Sequence, residues 1–339
     1  MTKDKDLKED KAKNKLLKNV LRVLVSAFAF FCLIKFGKVD FNTAIKYLLK
    51  VYPLYFILAF LSYFGAILIA GLRFYFSSQV LGFNKKYYQL LQLNFVGAFF
   101  NNFLPTTFGG DALRGYYLKK GSHISMPKAA ACIVYERYTG VIVLFWAASV
   151  AFILQGFGFI SKNAWQMPSQ IKLITHIGSF VTIFVIPFLP QISKLFFGKS
   201  NWLHKKVIEP IIVYWQDLKL MSRIISLSIV LQVFVFVAHY FIARSLNINI
   251  PLSYYLIFYP LTTIAGFMVP SLNGLGVREG TYIYFLSKVG INSDQGLAFS
   301  ICWLIILLFI SFIGGIIYML GDFRKHQSLE EIEKIGDIP

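Results

Sequence analysis

The chain has 339 residues, 57% of them hydrophobic and 15% charged, with 34 Lys and Arg against 16 Asp and Glu, a formal net charge of +18. A soluble domain has about 45–50% apolar and about 25% charged residues, and one membrane-crossing helix takes about 20 apolar residues. The surplus fills roughly eight or nine such segments and leaves no stretch long enough for a water-soluble catalytic domain, which excludes soluble-enzyme, collagen-like and disordered classes.

Residues 1–20 are Lys-rich and read as a cytoplasmic basic arm. Apolar runs follow at 20–36 and 52–72, then a short basic loop with Arg73, Lys85 and Lys86. The run 88–104 ends in NNFLPTTFGGDALR, and a basic stretch with Lys119, Lys120 and Lys128 comes next. A long run, 129–157, contains Glu136 and Arg137. A loop with little charge, 158–170, leads to a weaker run at 171–189 and then to the polar stretch 191–222, which carries Lys194, Lys199, Lys205, Lys206 and Lys219. The remaining runs are 223–242, 251–269 (ending in PSLNGLGVREG), the short 281–289, and 297–320, with a tail at 321–339.

The predicted fold is an all-α polytopic membrane protein of about eight hydrophobic segments. A transmembrane domain over 21–320 is flanked by a cytoplasmic arm and a cytoplasmic tail. The bases lie in short stretches beside apolar segments, the pattern of positive-inside topology in a multi-pass cell-membrane protein. Nucleic acid is not an expected partner. If all the basic loops face the cytoplasm, the run ending at Pro105 enters from the cytoplasm and returns to it, and the run ending at Pro270 enters from outside and returns there.

The two breaks resemble each other. Pro105 is followed by Gly109 and then Arg114, and Pro270 by Gly274 and then Arg278. The order around them is also alike, which predicts an inverted internal repeat with halves at about 21–157 and 171–320. Interrupted hydrophobic segments at matching positions of two halves are the sequence pointer to a transport site. The bland alternative is that Pro and Gly merely end helices at the membrane surface. Non-helical backbone at membrane depth must be buried in protein or line a wet cavity. Helix N-termini there offer N–H groups to anions, and glycine permits close approach.

Charges in apolar surroundings are expensive and usually have a partner or a task. The candidate substrate-binding set is Asn101, Asn102, Pro105, Gly109, Gly110, Asp111, Arg114, Glu136, Arg137, Pro270, Asn273, Gly274, Gly276, Arg278 and Glu279. Asp111 and Arg114 are three apart and can share a helical face. Glu136 and Arg137 point about 100° apart on a helix and so look elsewhere: Glu136 to Arg114 or Arg278, Arg137 to Asp111. Arginine forks suit phosphate. The asparagines can bind headgroups or cap broken helices. Cys32, Cys132 and Cys302 sit in separate apolar segments, so neither a metal site nor a disulfide is expected. Gly198-Lys199-Ser200 resembles the end of a P-loop, but Ser193 stands where the earlier glycine is required, so no ATP site or other cofactor is expected. Trp202 and Tyr214 read as interfacial belt residues.

NNFLPTTFGGDALRGYYL, the intramembrane YERYTG and VPSLNGLGVREG together resemble the lysylphosphatidylglycerol synthase transmembrane-region family, also called the flippase-like domain family. The resemblance extends over about 16–320 and implies a multi-pass bacterial or archaeal membrane protein. In the two-part member, the multiple peptide resistance factor, this region is linked to moving an aminoacylated phospholipid across the bilayer, while a separate C-terminal domain attaches the lysine. About nineteen residues follow the last run here, so the resemblance implies transport without aminoacyl transfer and no enzyme. The expected partners are membrane lipids: an anionic or amino-modified phospholipid, or a polyprenyl or glycolipid carrier, with a homo-oligomer left open. The expected function is translocation of a polar, phosphate-containing lipid. The alternatives are an intramembrane transferase acting on a lipid carrier, whose only carboxylates (Asp111, Glu136, Glu279) lie in different segments, and a structural subunit.

Overall fold

The computed structural model describes residues 40–103, 109–161, 165–185, 213–214, 217–269 and 274–321. The expected first apolar run at 20–36, both terminal segments, Trp202, Pro105, Pro270 and Asn273 lie outside the described residues. Among the described residues all regular structure is helical: α1 (Phe41–Leu49), α2 (Pro53–Val80), α3 (Tyr87–Phe103), α4 (Gly109–Lys119), α5 (Met126–Gly156), α6 (Ser169–Phe180, continued by a π-helical turn Val181–Val185), α7 (Leu218–Ser245), α8 (Tyr255–Met268), α9 (Val277–Ser287) and α10 (Ser293–Leu320). The fold is all-α and polytopic, as the composition predicts.

Four helices, α2, α5, α7 and α10, are long and apolar enough to cross a membrane. At 28 residues, α2, α7 and α10 are each about 42 Å long, against a hydrocarbon core of about 30 Å. Their outward faces are apolar and exposed: Leu54, Ile57 and Leu61 on α2, Val230 and Val233 on α7, and the row Leu308, Phe312, Ile316 on α10. Contiguous exposed apolar surface of this extent marks a face that meets lipid or another protein, and on helices of this length it fits lipid. Starts and stops follow local chemistry. Pro stands in the first turn of α2 and α5. Asp217 and Asn292 cap α7 and α10 by accepting from the N–H of Leu220 and Gln295.

The repeat is visible as element order. The lengths of α2 to α5 are 28, 17, 11 and 31 residues, and those of α7 to α10 are 28, 14, 11 and 28. The equivalent leading helices, α2 and α7, pack along their lengths in opposite directions. The Tyr52 N–H donates to the Ser245 carbonyl (2.8 Å), the Tyr55 ring lies 6.4 Å from that of Phe241, Arg73 donates to the Ser228 hydroxyl (3.0 Å), and the Arg223 guanidinium sits 4.8 Å over the Phe76 ring. As numbers rise along α2 they fall along α7, so the halves are inverted. Small residues allow the approach: Ala59, Ala66 and Ala238 are buried, and a Cβ on Gly65 would lie 2.8 Å from the Phe234 ring.

The broken segments are hairpins. At 17 and 11 residues, or 14 and 11, their helices fall short of the about 20 residues usual for a crossing helix. Each returns to the end at which it begins. Lys85 Nζ, before α3, donates to the carbonyl of Lys120, after α4 (2.7 Å). The Tyr254 hydroxyl, before α8, donates to the Phe285 carbonyl near the end of α9 (2.7 Å). Because α2 and α7 are antiparallel, the two hairpins open at opposite ends. The first mouth is crowded with bases, and partial burial, then the charge of Lys120, pulls the Lys85 pKa below its usual value.

Each hairpin packs against the last helix of the other half, α3 on α10 and α8 on α5. One core forms around the first hairpin (Leu90, Leu93, Val96, Leu113, Leu118 with Phe74 and Tyr135), another around the second (Tyr254, Phe258, Tyr282, Phe285 with Phe299 and Trp303). Tyr214 is not a belt residue. It is fully buried, stacks on Tyr135 (3.9 Å, 7°) and donates to the Ser77 carbonyl (2.8 Å), because 213–214 fold back onto the first half.

Cysteines introduced at Lys120 and at Ser287 are expected to react with an impermeant thiol reagent from opposite faces of sealed vesicles; labelling of both from one face would contradict the inversion. Gly110→Ala and Gly314→Ala are expected to lower the detergent melting temperature strongly, since each new Cβ would lie 2.0 Å from a carbonyl oxygen, that of Gly97 and of Phe95 respectively. Overpacking alone costs about 1–3 kcal/mol, and here backbone must move.

Candidate functional site

Sequence alone put Arg73 in a loop after the second apolar run. The structure corrects this. Helix α2 continues to Val80, and the Arg73 side chain is 11% exposed, with Nε 3.6 Å from Glu136 Oε1. The helix can run on because a carboxylate from α5 compensates the guanidinium and Ser228 of α7 accepts from it.

From Arg73 an alternating ladder of charges crosses the interior. Glu136, on α5, accepts from Arg114 Nη2 at 2.5 Å. Arg114, on α4, also reaches Asp111 one turn earlier on the same helix (3.2 Å). Asp111 in turn accepts from Arg137 Nε (2.8 Å) and Nη2 (3.0 Å). Glu136 and Arg137 are adjacent in sequence and face different partners, as helical geometry requires. The order is Arg73, Glu136, Arg114, Asp111, Arg137. The side chains of Asp111 and Glu136 are 6% and 2% exposed, that of Arg137 40%. Arg114 lies 4.4 Å over the Phe74 ring, and Arg137 5.7 Å over the Phe267 ring of the second hairpin. The carboxylates Asp111 and Glu136, distant in sequence, thus meet at one guanidinium.

Glycines and asparagines set this geometry. Gly110 and Gly97 let α4 lie against α3, so that the Arg114 chain crosses α3 where a Gly97 Cβ would be 2.6 Å from its Cδ. The Asn101 side-chain oxygen accepts from the Gly110 N–H (2.9 Å), tying the start of α4 to the end of α3. Gly109 begins α4 and is buried. Asn102 donates to the Ser311 hydroxyl of α10, which donates to the Ala98 carbonyl (3.1 Å). At the second break Gly274 and Gly276 have φ of +79° and +81°, a region that favours glycine. Glu279 accepts from the Gly276 N–H (2.6 Å) and from Arg278 Nη2 (2.8 Å), so Arg278 is neutralised by its neighbour and not by Glu136.

These groups line a cavity of about 350 Å³ between the hairpins and the long helices. Asn101, Asn102, Asp111 and Arg114 reach it from the first hairpin, Glu136 and Arg137 from α5, and Gly274 and Arg278 from the second hairpin. Glu279 stands behind Arg278, while Gly109, Gly110 and Gly276 shape turns and contacts. Tyr63, Tyr259, Phe267, Tyr282 and Trp303 form an aromatic wall. Behind it, buried His239 shares a hydrogen bond with the Tyr282 hydroxyl (2.7 Å). Sequence reasoning missed Arg73, Asn94, Gln232 and His239. Gln232 accepts from the Tyr259 hydroxyl. The signal available was a polar side chain inside an apolar run. Arg73 Nε, Arg114 Nε, Asn94 Nδ2, Glu136 Oε1 and Thr262 Oγ1 are buried at the cavity without a hydrogen-bond partner.

The chain matches the family described as lysylphosphatidylglycerol synthase TM region over residues 19–315. It belongs to this family. Among curated proteins it is similar to two described as UPF0104 membrane proteins of Methanocaldococcus jannaschii. One is 24% identical over 327 residues, which cover 91% of this chain and 96% of the relative. The other is 27% identical over 235 residues, 66% of this chain and 94% of the relative. Family membership and the four apolar spans make it a multi-pass membrane protein with a lipid-related role.

Removing one member of a buried ion pair costs about 3–5 kcal/mol, because the other is stranded. Arg114 keeps Asp111 when Glu136 is neutralised, whereas Arg73 has Glu136 as its one carboxylate among the described residues. Glu136→Gln is therefore expected to lower the detergent melting temperature more than the double variant Glu136→Gln with Arg73→Gln; a larger loss in the double variant would show that the pair is not coupled.

Proposed function

We propose that this chain moves a phosphate-containing lipid between the leaflets of a cell membrane. The observation that carries the reading is a charged cavity lined by two re-entrant hairpins that open at opposite ends, inside a molecule whose outer surface is apolar. A headgroup can occupy such a cavity while its acyl chains stay in lipid. Guanidiniums are the groups best shaped to take a phosphate. Positive-inside counting puts the mouth with Lys85, Lys86, Lys119, Lys120 and Lys128 at the cytoplasm and the mouth of the second hairpin outside. The ladder supplies spare partners. Arg137 is shared between Asp111 and the cavity, and a phosphate can take the place of a carboxylate at one state and release it at another. Asp111 and Glu136 are engaged by guanidiniums, which favours binding over a general-base role. The family's description, a region of a phospholipid synthase, agrees with a lipid as cargo.

The test is reconstitution. Purified protein in liposomes is expected to move fluorescent phospholipid between leaflets, with the recovered lipid chemically unchanged; no movement above empty liposomes across several headgroups, or a modified product, would overturn the reading. Hydrogen bonds to charged groups contribute about 1.5–3 kcal/mol. Arg137→Ala and Arg278→Ala are accordingly expected to slow movement by about ten- to hundredfold at unchanged protein recovery. A rate within twofold of the parent for both would leave the cavity with a purely structural role.

A further inference from the structure

We propose that the cavity selects a headgroup carrying one net negative charge, a phosphodiester on an otherwise uncharged head alcohol, and that Arg73 supplies the charge that selects it. This rests on the lipid-binding reading above and adds the headgroup class.

The first ground is charge. The ladder begins and ends on a cation, so three guanidiniums share two carboxylates. Arg278 adds nothing, since Glu279 neutralises it at 2.8 Å. The breaks at 104–108 and 270–273 contain no charged residue in the sequence. Among the described residues the cavity therefore carries one positive charge in excess, within an aromatic and apolar wall where an uncompensated charge is costly. Arg73 is that excess, because Arg114 and Arg137 already match Asp111 and Glu136.

The second ground is hydrogen-bonding polarity. Of the buried cavity atoms without a partner, three are donors: Arg73 Nε, Arg114 Nε and Asn94 Nδ2. One, Glu136 Oε1, is an acceptor that faces Arg73 Nε at 3.6 Å, and the Thr262 hydroxyl can act either way. These atoms are closed off behind the cavity surface, and the groups that line it include the guanidiniums of Arg114, Arg137 and Arg278, which only donate; a phosphodiester brings them acceptor oxygens and one negative charge. A zwitterionic or aminoacylated head would place an ammonium beside guanidiniums. Arg137 is the accessible end of the ladder and lies over Phe267 of the second hairpin, so a phosphate there touches both hairpins. Arg73 acts through the charge balance and is a positioning residue.

The experiment reads binding without transport. The thermal midpoint of the full chain in detergent is followed against dihexanoyl phosphatidylglycerol, dihexanoyl phosphatidylcholine, lysyl-phosphatidylglycerol and inorganic phosphate; a ligand that binds the folded state raises it. Phosphatidylglycerol is expected to act at a concentration at least tenfold lower than phosphatidylcholine or the lysyl form. Equal potency of the three lipids would overturn the proposal, and inorganic phosphate as potent as the lipid would assign the site to a soluble anion instead. Arg73→Gln makes the ladder neutral and is expected to equalise phosphatidylglycerol and phosphatidylcholine; retained selectivity would remove the role given to Arg73. Should that variant not fold, Asp111→Asn raises the excess charge to two and is expected to shift preference towards dihexanoyl phosphatidic acid, an unchanged order counting against the proposal. Selective binding with no lipid movement would overturn flipping and keep this inference, whereas movement with equal binding would do the reverse.

Discussion

The antiparallel contact between α2 and α7 is the constraint from which the rest of the molecule follows. Two helices of equivalent place in the two halves run side by side in opposite directions, held by small residues and by hydrogen bonds at both ends. Once that pair is set, everything attached to one helix must be inverted with respect to everything attached to the other. The hairpins then open at opposite ends without any further instruction, and described residues of both, Asn101 and Arg114 of the first and Phe267 and Arg278 of the second, line one cavity. A cavity between the hairpins is a consequence of the pairing, and polar side chains of both line it.

Holding those side chains there is the second problem. A membrane interior tolerates an ionised group only when other protein groups take over the role of water. The answer here is sharing. Glu136 serves two arginines, Arg114 serves two carboxylates, and Asp111 serves two arginines. The three inner members each have two partners, and only the end guanidiniums Arg73 and Arg137 rely on one carboxylate, so an inner contact can be exchanged while the others persist. A single isolated pair would offer no such latitude: losing its partner would strand it.

Much of this was legible in the sequence, and the parts that were not share a physical cause. The repeat was legible because Pro and Gly at matched spacing interrupt otherwise apolar runs. The pairing of Asp111 with Arg114 followed from helical spacing, and the separation of Glu136 from Arg137 followed from the angle between neighbours on a helix. Arg73 was illegible because a charge at the end of an apolar run looks like a helix boundary. What keeps it inside is Glu136, sixty-three positions further on. Gly314 gave no sign either: in a 28-residue apolar helix it looks like any small residue, and its necessity comes from the Phe95 carbonyl of α3 pressed against it. Tyr214 sat in a polar stretch, and only the fold shows its ring against Tyr135. Local pattern reveals elements and near neighbours, whereas compensation from another segment is invisible until the segments are assembled.

The seating of α3 on α10 has a consequence for biosynthesis. Ser311 and Ala98, joined by a hydrogen bond, are 213 positions apart, and Asn102 and Ser311 are 209 apart. The first hairpin leaves the ribosome early, its helices short of the usual crossing length and carrying Asp111 and Arg114, yet its supporting helix is among the last parts of the described chain to be made. Until then its flank has no permanent neighbour. Contacts of such long sequence separation form slowly, so completion of the first half waits on synthesis of the second, and a nascent chain that stalls before α10 holds an unfinished hairpin, however complete its own sequence.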